Sequence, residues 1–173
     1  MKKLLPFVFL LILASCSSYN SIADFYEAHK NDNQVTAFRV PQFMFSLVRS
    51  ISPEMNSIIG DTKDLRYMQF PSATDTQSQF LNNQMNSFTG NSFIEIYRKN
   101  DDLKRNVISV REKRDVIKEI LVYKNDNKNG SFLYFKGNFD PVQVRKMAAN
   151  NEFESFSQSL LPQMLNTNVP PTE

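Results

Sequence analysis

Four strand-like runs follow one another between residues 92 and 139, joined by connections of hairpin length, and they constrain the fold more than any other feature. The runs are SFIEIYRK (92–99), NVISVREK (106–113), DVIKEILVYK (115–124) and GSFLYFKGNF (130–139). The breaks NDDLKR, KRD and NDNKNG are rich in turn formers. A parallel pair would need a crossover of a dozen or more residues, so these runs pair as an antiparallel meander. In NDNKNG the expected hairpin turn places Gly130 at positive φ.

Helical spacing dominates ahead of the meander. In SIADFYEAHK, residues Ile22, Phe25, Tyr26 and His29 recur at three and four. QVTAFRV (34–40) and DLRYMQF (64–70) read as strands. Between them QFMFSLVRSI, after Pro41, reads as a buried helix, and SPEMNSIIG adds one or two turns ended by Gly60. TDTQSQFLNNQMNSF is a helix with the apolar stripe Phe80, Leu81, Met85 and Phe88 and with Gln and Asn on its outer face. DPVQVRKMA is a closing helix capped by Asp140, with Pro141 in its first turn.

These elements predict an α+β fold: a mostly antiparallel sheet with a four-strand meander and helices packed on one face, in two layers. The opposite face is expected to be partly solvated, with Glu95, Arg98, Arg111, Lys113 and Lys118 available for it. A ferredoxin-like arrangement with extra strands is the alternative. The domain is expected over residues 22–150, a possible amphipathic helix over 151–165, and a disordered, proline-containing tail over 166–173.

The head of the chain gives an address. Lys2 and Lys3 precede an apolar run from Leu4 to Leu13. That run is too short to cross a bilayer, which takes roughly 20 apolar residues in a helix, and it suits the core of a secretory signal peptide over residues 1–15. Leu13-Ala14-Ser15-Cys16 resembles the lipobox of bacterial lipoproteins. The resemblance implies cleavage before Cys16, a thioether-linked diacylglycerol on its sulfur and acylation, as by palmitate, of its amine. Residues 16–21 would then be the lipidated N-terminus and a short tether. Two or more acyl chains make a stable anchor, at about 0.8 kcal/mol per buried CH₂. Cys16 is the one cysteine in the chain, so no intrachain disulfide is possible.

Charge excludes some partners. The chain has 20 Lys+Arg against 18 Asp+Glu; loss of Lys2 and Lys3 with the signal leaves 18 of each. A neutral mature chain has no electrostatic footprint for nucleic acid and no polybasic run for anionic lipid.

DFYEAHKNDNQVTAFRVPQFMFSLV and, at the other end, GSFLYFKGNFDPVQVRKMA resemble an envelope lipoprotein family of unknown function, domain of unknown function 4252, over about residues 22 to 150. That family is typical of Bacteroidota and usually lipid-anchored. It supplies no catalytic residues to map. PSATDTQSQFLNNQMNSFTGNS departs from the family in its wealth of Gln, Asn and Ser.

Candidate chemistry is sparse. His29 is the single histidine and could serve as a metal ligand or general base only with carboxylates beside it. Asp101 and Asp102 read as a solvated turn, as does REKRD. NDNKNG lacks the spacing to a bidentate Glu that a calcium loop requires. Neither a nucleophile elbow nor a glycine-rich phosphate loop occurs in the sequence. The prediction is therefore a non-enzyme without catalytic, metal or cofactor residues: a binding or scaffolding module at the outer membrane, facing the periplasm, with the membrane held through Cys16 and an envelope protein as a possible partner. The absence of acidic residues in SSYNS, just after Cys16, underlies the periplasmic assignment. An enzyme with an unrecognised site and a small-molecule or lipid carrier are the alternatives. Phe43, Phe45, Tyr67, Phe70 and Tyr134 exceed what a small core needs and are candidate contact residues.

The segment NEFESFSQSLLPQML (151–165) carries Phe153, Phe156, Leu160, Leu161 and Met164 at helical spacing, with Pro162 expected to kink or end the helix. It either docks over the open sheet face or an edge strand, or offers its stripe to a partner.

Overall fold

The backbone alternates short helices and strands before the meander, as its sequence periods require. The computed structural model describes residues 19, 21–72, 74–90, 92–126 and 128–166. The expected signal peptide, Cys16, the start of the tether and the tail beyond Asn166 lie outside the described residues. The elements are α1 (Ile22–His29), β1 (Thr36–Arg39), α2 (Phe45–Ile51), α3 (Asn56–Asp61), β2 (Thr62–Pro71), α4 (Asp75–Thr89), β3 (Ile94–Asp101), β4 (Lys104–Lys113), β5 (Val116–Asn125), β6 (Asn129–Phe139), α5 (Pro141–Ala149) and α6 (Glu152–Asn166). Single 3₁₀ turns lead into α2 and α3. Among the described residues no helix is long and apolar enough to cross a membrane.

Local chemistry sets the ends. Ser21 caps α1 by accepting from the Asp24 N–H. Thr74 and Gln77 close a reciprocal capping box on α4, and Asp140 accepts from the N–H groups of Val142 and Gln143 at the start of α5.

The sheet is open and six-stranded, in the order β1-β2-β6-β5-β4-β3, and every neighbouring pair is antiparallel. The β3-to-β6 meander is present as expected. The strand order excludes the ferredoxin-like alternative: that fold inserts a strand between the two strands of each βαβ unit, whereas here β1 pairs directly with β2 and β3 to β6 lie side by side in sequence order. Arg114 and Asp115 form the two-residue β4–β5 turn with φ of 53° and 58°, the left-handed pair of a type I′ hairpin. Gly130 does not sit at positive φ. In that hairpin Asp126 accepts from the N–H groups of Lys128 and Asn129 and makes the turn instead. Glycine at position 130 has a packing reason, because a Cβ there would stand 2.6 Å from Leu81 Cδ1.

Helices cover both faces of the sheet, which corrects the expectation of one covered face and two layers. On one face α2, α3, α5 and α6 enclose Leu65, Ile108, Val110, Ile120, Val122, Leu133 and Phe135. On the other, α1 and α4 enclose Met68, Leu121, Tyr123, Phe132 and Tyr134. The signal lay in Ile120-Leu121-Val122-Tyr123 and Phe132-Leu133-Tyr134-Phe135, which are continuous apolar runs rather than alternations and are buried at every position. A strand of that kind needs cover above and below.

The C-terminal helix belongs to the core. Phe153, Phe156 and Leu160 are fully buried and Met164 nearly so, against α2, α5 and the sheet. α6 therefore lies on the principal covered face, not over an open face or edge. It runs through Pro162 to Asn166, where the sequence predicts a kink or stop. Pro162 is exposed, while Met164, two residues beyond it, is buried and docks the last turn.

Candidate functional site: an apolar groove beside His29

On α4 the expected stripe holds at Leu81, Met85 and Phe88, and Gln77, Gln79, Asn83 and Asn86 lie outside as expected. Two positions depart from it: Asn82 is buried, as is Ser78, whereas Phe80 is 53% exposed. Positions two apart on a helix lie about 200° apart, so Phe80 cannot face the sheet together with Ser78 and Asn82. The choice is made by a buried polar network. Ser72 Oγ lies 2.7 Å from Ser78 Oγ and donates to Asn125 Oδ1 at 2.9 Å. Tyr123 donates to Asn82 Oδ1 at 2.9 Å, and Asn82 Nδ2 donates to the Leu103 carbonyl at 3.1 Å. These groups are satisfied only with Ser78 and Asn82 facing in, which rotates Phe80 out.

Phe80 then borders an open groove of about 400 Å³ between α4 and the α1–β1 loop. Val35, Phe70, Pro71, Phe80 and Leu81 give it apolar walls; Asp32, Asn33, Thr76 and Gln77 give it a polar rim. The volume falls within the range of small-ligand sites. Gln34, between two lining residues, holds φ at 64°, a strained value for a side chain other than glycine.

His29 stands at the end of this groove. Its Nδ1 lies 2.6 Å from Asp32 Oδ2 and its Nε2 lies 2.9 Å from the Tyr19 hydroxyl. An ionised carboxylate only accepts, so Nδ1 carries a proton; in the neutral imidazole Nε2 then accepts from the Tyr19 O–H. The ring centroid sits 4.5 Å from that of Phe25 and 6.2 Å from that of Phe70, and the Tyr19 ring packs edge-on to Phe25 at 5.3 Å. Hydroxyl, imidazole and carboxylate stand in the order used by nucleophile–base–acid triads, although the hydroxyl is phenolic. Tyr19, ahead of α1, is thus packed onto the domain.

A second polar cluster on the same sheet face is paired within itself. Asp64 accepts from Arg39 Nε at 2.7 Å and Arg66 Nε at 2.9 Å, and Arg66 reaches Glu27 at 3.0 Å. Burial pushes the neighbouring Tyr26 hydroxyl up to about 12, against the opposing pull of Arg66. Tyr134 donates to Glu119, which also accepts from Arg111. Burial, reinforced by Glu119, raises the Tyr134 hydroxyl far above the ordinary tyrosine range. Among the residues expected to be solvated, Glu95 pairs with Arg98, and Lys118 donates to Asn138.

Of the proposed contact aromatics, Phe45, Tyr67 and Tyr134 are core residues, Phe43 is exposed away from the groove, and Phe70 alone lines it. Asp101 lies 3.9 Å from Lys104 in the exposed β3–β4 turn. Among the described residues no three His, Cys, Asp or Glu side chains cluster so as to hold a metal.

The model of the family described as Domain of unknown function (DUF4252) matches residues 26–147. The chain belongs to that family. The match spans α1 to α5 and stops before α6, although α6 fills the core. No curated protein and no solved structure matches the chain.

Proposed function

We propose that this DUF4252 protein is a cell-envelope lipoprotein, anchored through Cys16 to the periplasmic leaflet of the outer membrane, that acts as a non-catalytic binding module through the groove beside His29. The observation that carries the reading is the turning-out of Phe80. A large aromatic leaves the buried stripe of its helix and faces Phe70 across an open apolar groove, while polar side chains take its place in the core. Contiguous apolar exposure of this kind is a feature of interaction surfaces. The lipobox-like Leu13-Ala14-Ser15-Cys16 supports the anchor, and the lack of acidic residues in SSYNS supports the periplasmic side.

Photocrosslinking in intact cells tests the binding role. A photoreactive phenylalanine at position 80 should give adducts that one at Val142, exposed in the opposite layer, does not. Equal labelling from both positions, or none from position 80, contradicts it. Digestion of the domain by external protease in intact cells contradicts the periplasmic side.

A second reading has one observation in its favour, the Tyr19–His29–Asp32 order. Hydrolysis of activated esters by the purified chain, abolished by Tyr19→Phe, would replace binding with catalysis.

A further inference from the structure

The contacts of Tyr19 fix where a lipid on Cys16 must emerge. Only Ser17 and Ser18 separate the two positions, so three Cα steps span at most about 11 Å. Tyr19 is held by His29 Nε2 and packs against Phe25, with Phe88 a further ring neighbour at 6.3 Å. His29 is bonded to Asp32, and Asp32 lines the groove. Clasp and groove are therefore consecutive through Asp32, and a lipid on Cys16 would emerge within that span of Tyr19.

Resting on the proposed lipidation of Cys16, we infer that the ligand of the groove is the lipid surface itself: the Tyr19–His29–Asp32 clasp holds the domain with Phe80 and Pro71 seated at the boundary between headgroups and acyl chains. The chemistry of the lining fits this occupant. Asp32 is its one charged residue, and His29 engages that carboxylate. Asn33, Thr76 and Gln77 are neutral donors and acceptors suited to headgroups, and the walls are aliphatic or aromatic. An interface without cationic lining residues takes its affinity from apolar burial, so docking should not depend on anionic lipid or on salt.

The chain has no tryptophan, so a single introduced one reports its own surroundings. The lipidated full chain carrying Phe80→Trp is placed in phosphatidylcholine vesicles whose acyl chains carry bromine. A second sample carries Val142→Trp. Docking predicts blue-shifted emission and at least threefold stronger quenching at position 80 than at position 142, unchanged between low and high salt. Adding Tyr19→Ala to Phe80→Trp should reduce the quenching by half or more. If Cys16 is acylated and the protein floats with the vesicles, yet positions 80 and 142 are quenched alike, docking is overturned and the anchor stands. Quenching that survives Tyr19→Ala overturns the clasp's role. Protein without lipid on Cys16 that stays in solution overturns docking and anchor together. If photocrosslinking from position 80 yields protein adducts only, the groove binds a protein and the lipid assignment falls.

Discussion

Lys124 Nζ on β5 lies 2.6 Å from Glu154 Oε1 in the first turn of α6, while Asn106 Nδ2 on β4 donates to the other carboxylate oxygen at 3.0 Å. Two strands of the meander thus grip the helix that the family match leaves out. Phe153 and Phe156 flank Glu154 within one turn and pack on Phe135, with ring centroids 5.9 and 6.0 Å away. α6 is a structural part of the domain, and Phe156→Ala should cost about 3–5 kcal/mol, the usual range for emptying a buried aromatic site. Urea unfolding measures it. Hydrogen exchange on the isolated protein should show strong protection over residues 153–161; fast exchange there would mean that the helix is loosely held.

Acid should weaken the same grip. The Lys124 hydrogen bond holds the Glu154 carboxyl below its ordinary range. A carboxyl lowered on folding contributes stability that is fully present above its unfolded value, near 4.3, and lost as pH falls through the folded value. Glu154→Gln should therefore be less stable than the parent at neutral pH, by about 1 kcal/mol given the partial exposure of the pair. The gap should start to narrow as pH falls below about 4.3 and go on narrowing as the folded carboxyl is protonated. A gap that does not change with pH would assign the loss to packing instead.

The buried network of α4 makes a different prediction. Asn82→Ala strands the Leu103 carbonyl and takes away the acceptor of the Tyr123 hydroxyl, and should cost about 2–6 kcal/mol, from about 1–3 kcal/mol for each of the two groups. Phe80→Ala, two positions away but exposed, should change stability by less than about 1 kcal/mol. Thermal melts of the two variants decide whether Asn82 or Phe80 is the inward residue.

Gly137, where β6 meets the irregular start of β2, tests backbone packing. A Cβ there would stand 2.2 Å from the Asp61 carbonyl oxygen and 2.7 Å from Phe139 Cζ. Backbone cannot swing aside as a side-chain tip can, so Gly137→Ala should destabilise by about 3 kcal/mol or more, at the upper end of overpacking effects. A near-neutral result would show that the α3–β2 junction is looser than described.

Sequence periods made the meander, the three capped helices and the order of elements legible, because hairpin turns and helical spacing are local. Asp140-Pro141 states its own helix start. What escaped was long-range. Nothing near Phe80 in sequence tells it from Leu81; the deciding partners, Tyr123 and Asn125, lie on β5. The Tyr19–His29–Asp32 clasp also needs the fold, since it brings a residue of the expected tether onto α1. Missing the second helical layer was a failure to use local information. The runs at 120–123 and 132–135 already lacked the alternation of a half-exposed strand.

The anchor at Cys16 is the claim on which orientation, location and groove contact all depend, and the mass of the mature N-terminal peptide tests it most directly. The chain isolated from its own cells should begin at Cys16 and carry the mass of a thioether-linked diacylglycerol, a modification that Cys16→Ser abolishes together with cleavage. A mature chain that begins elsewhere, or a Cys16 with a free thiol, would contradict the account.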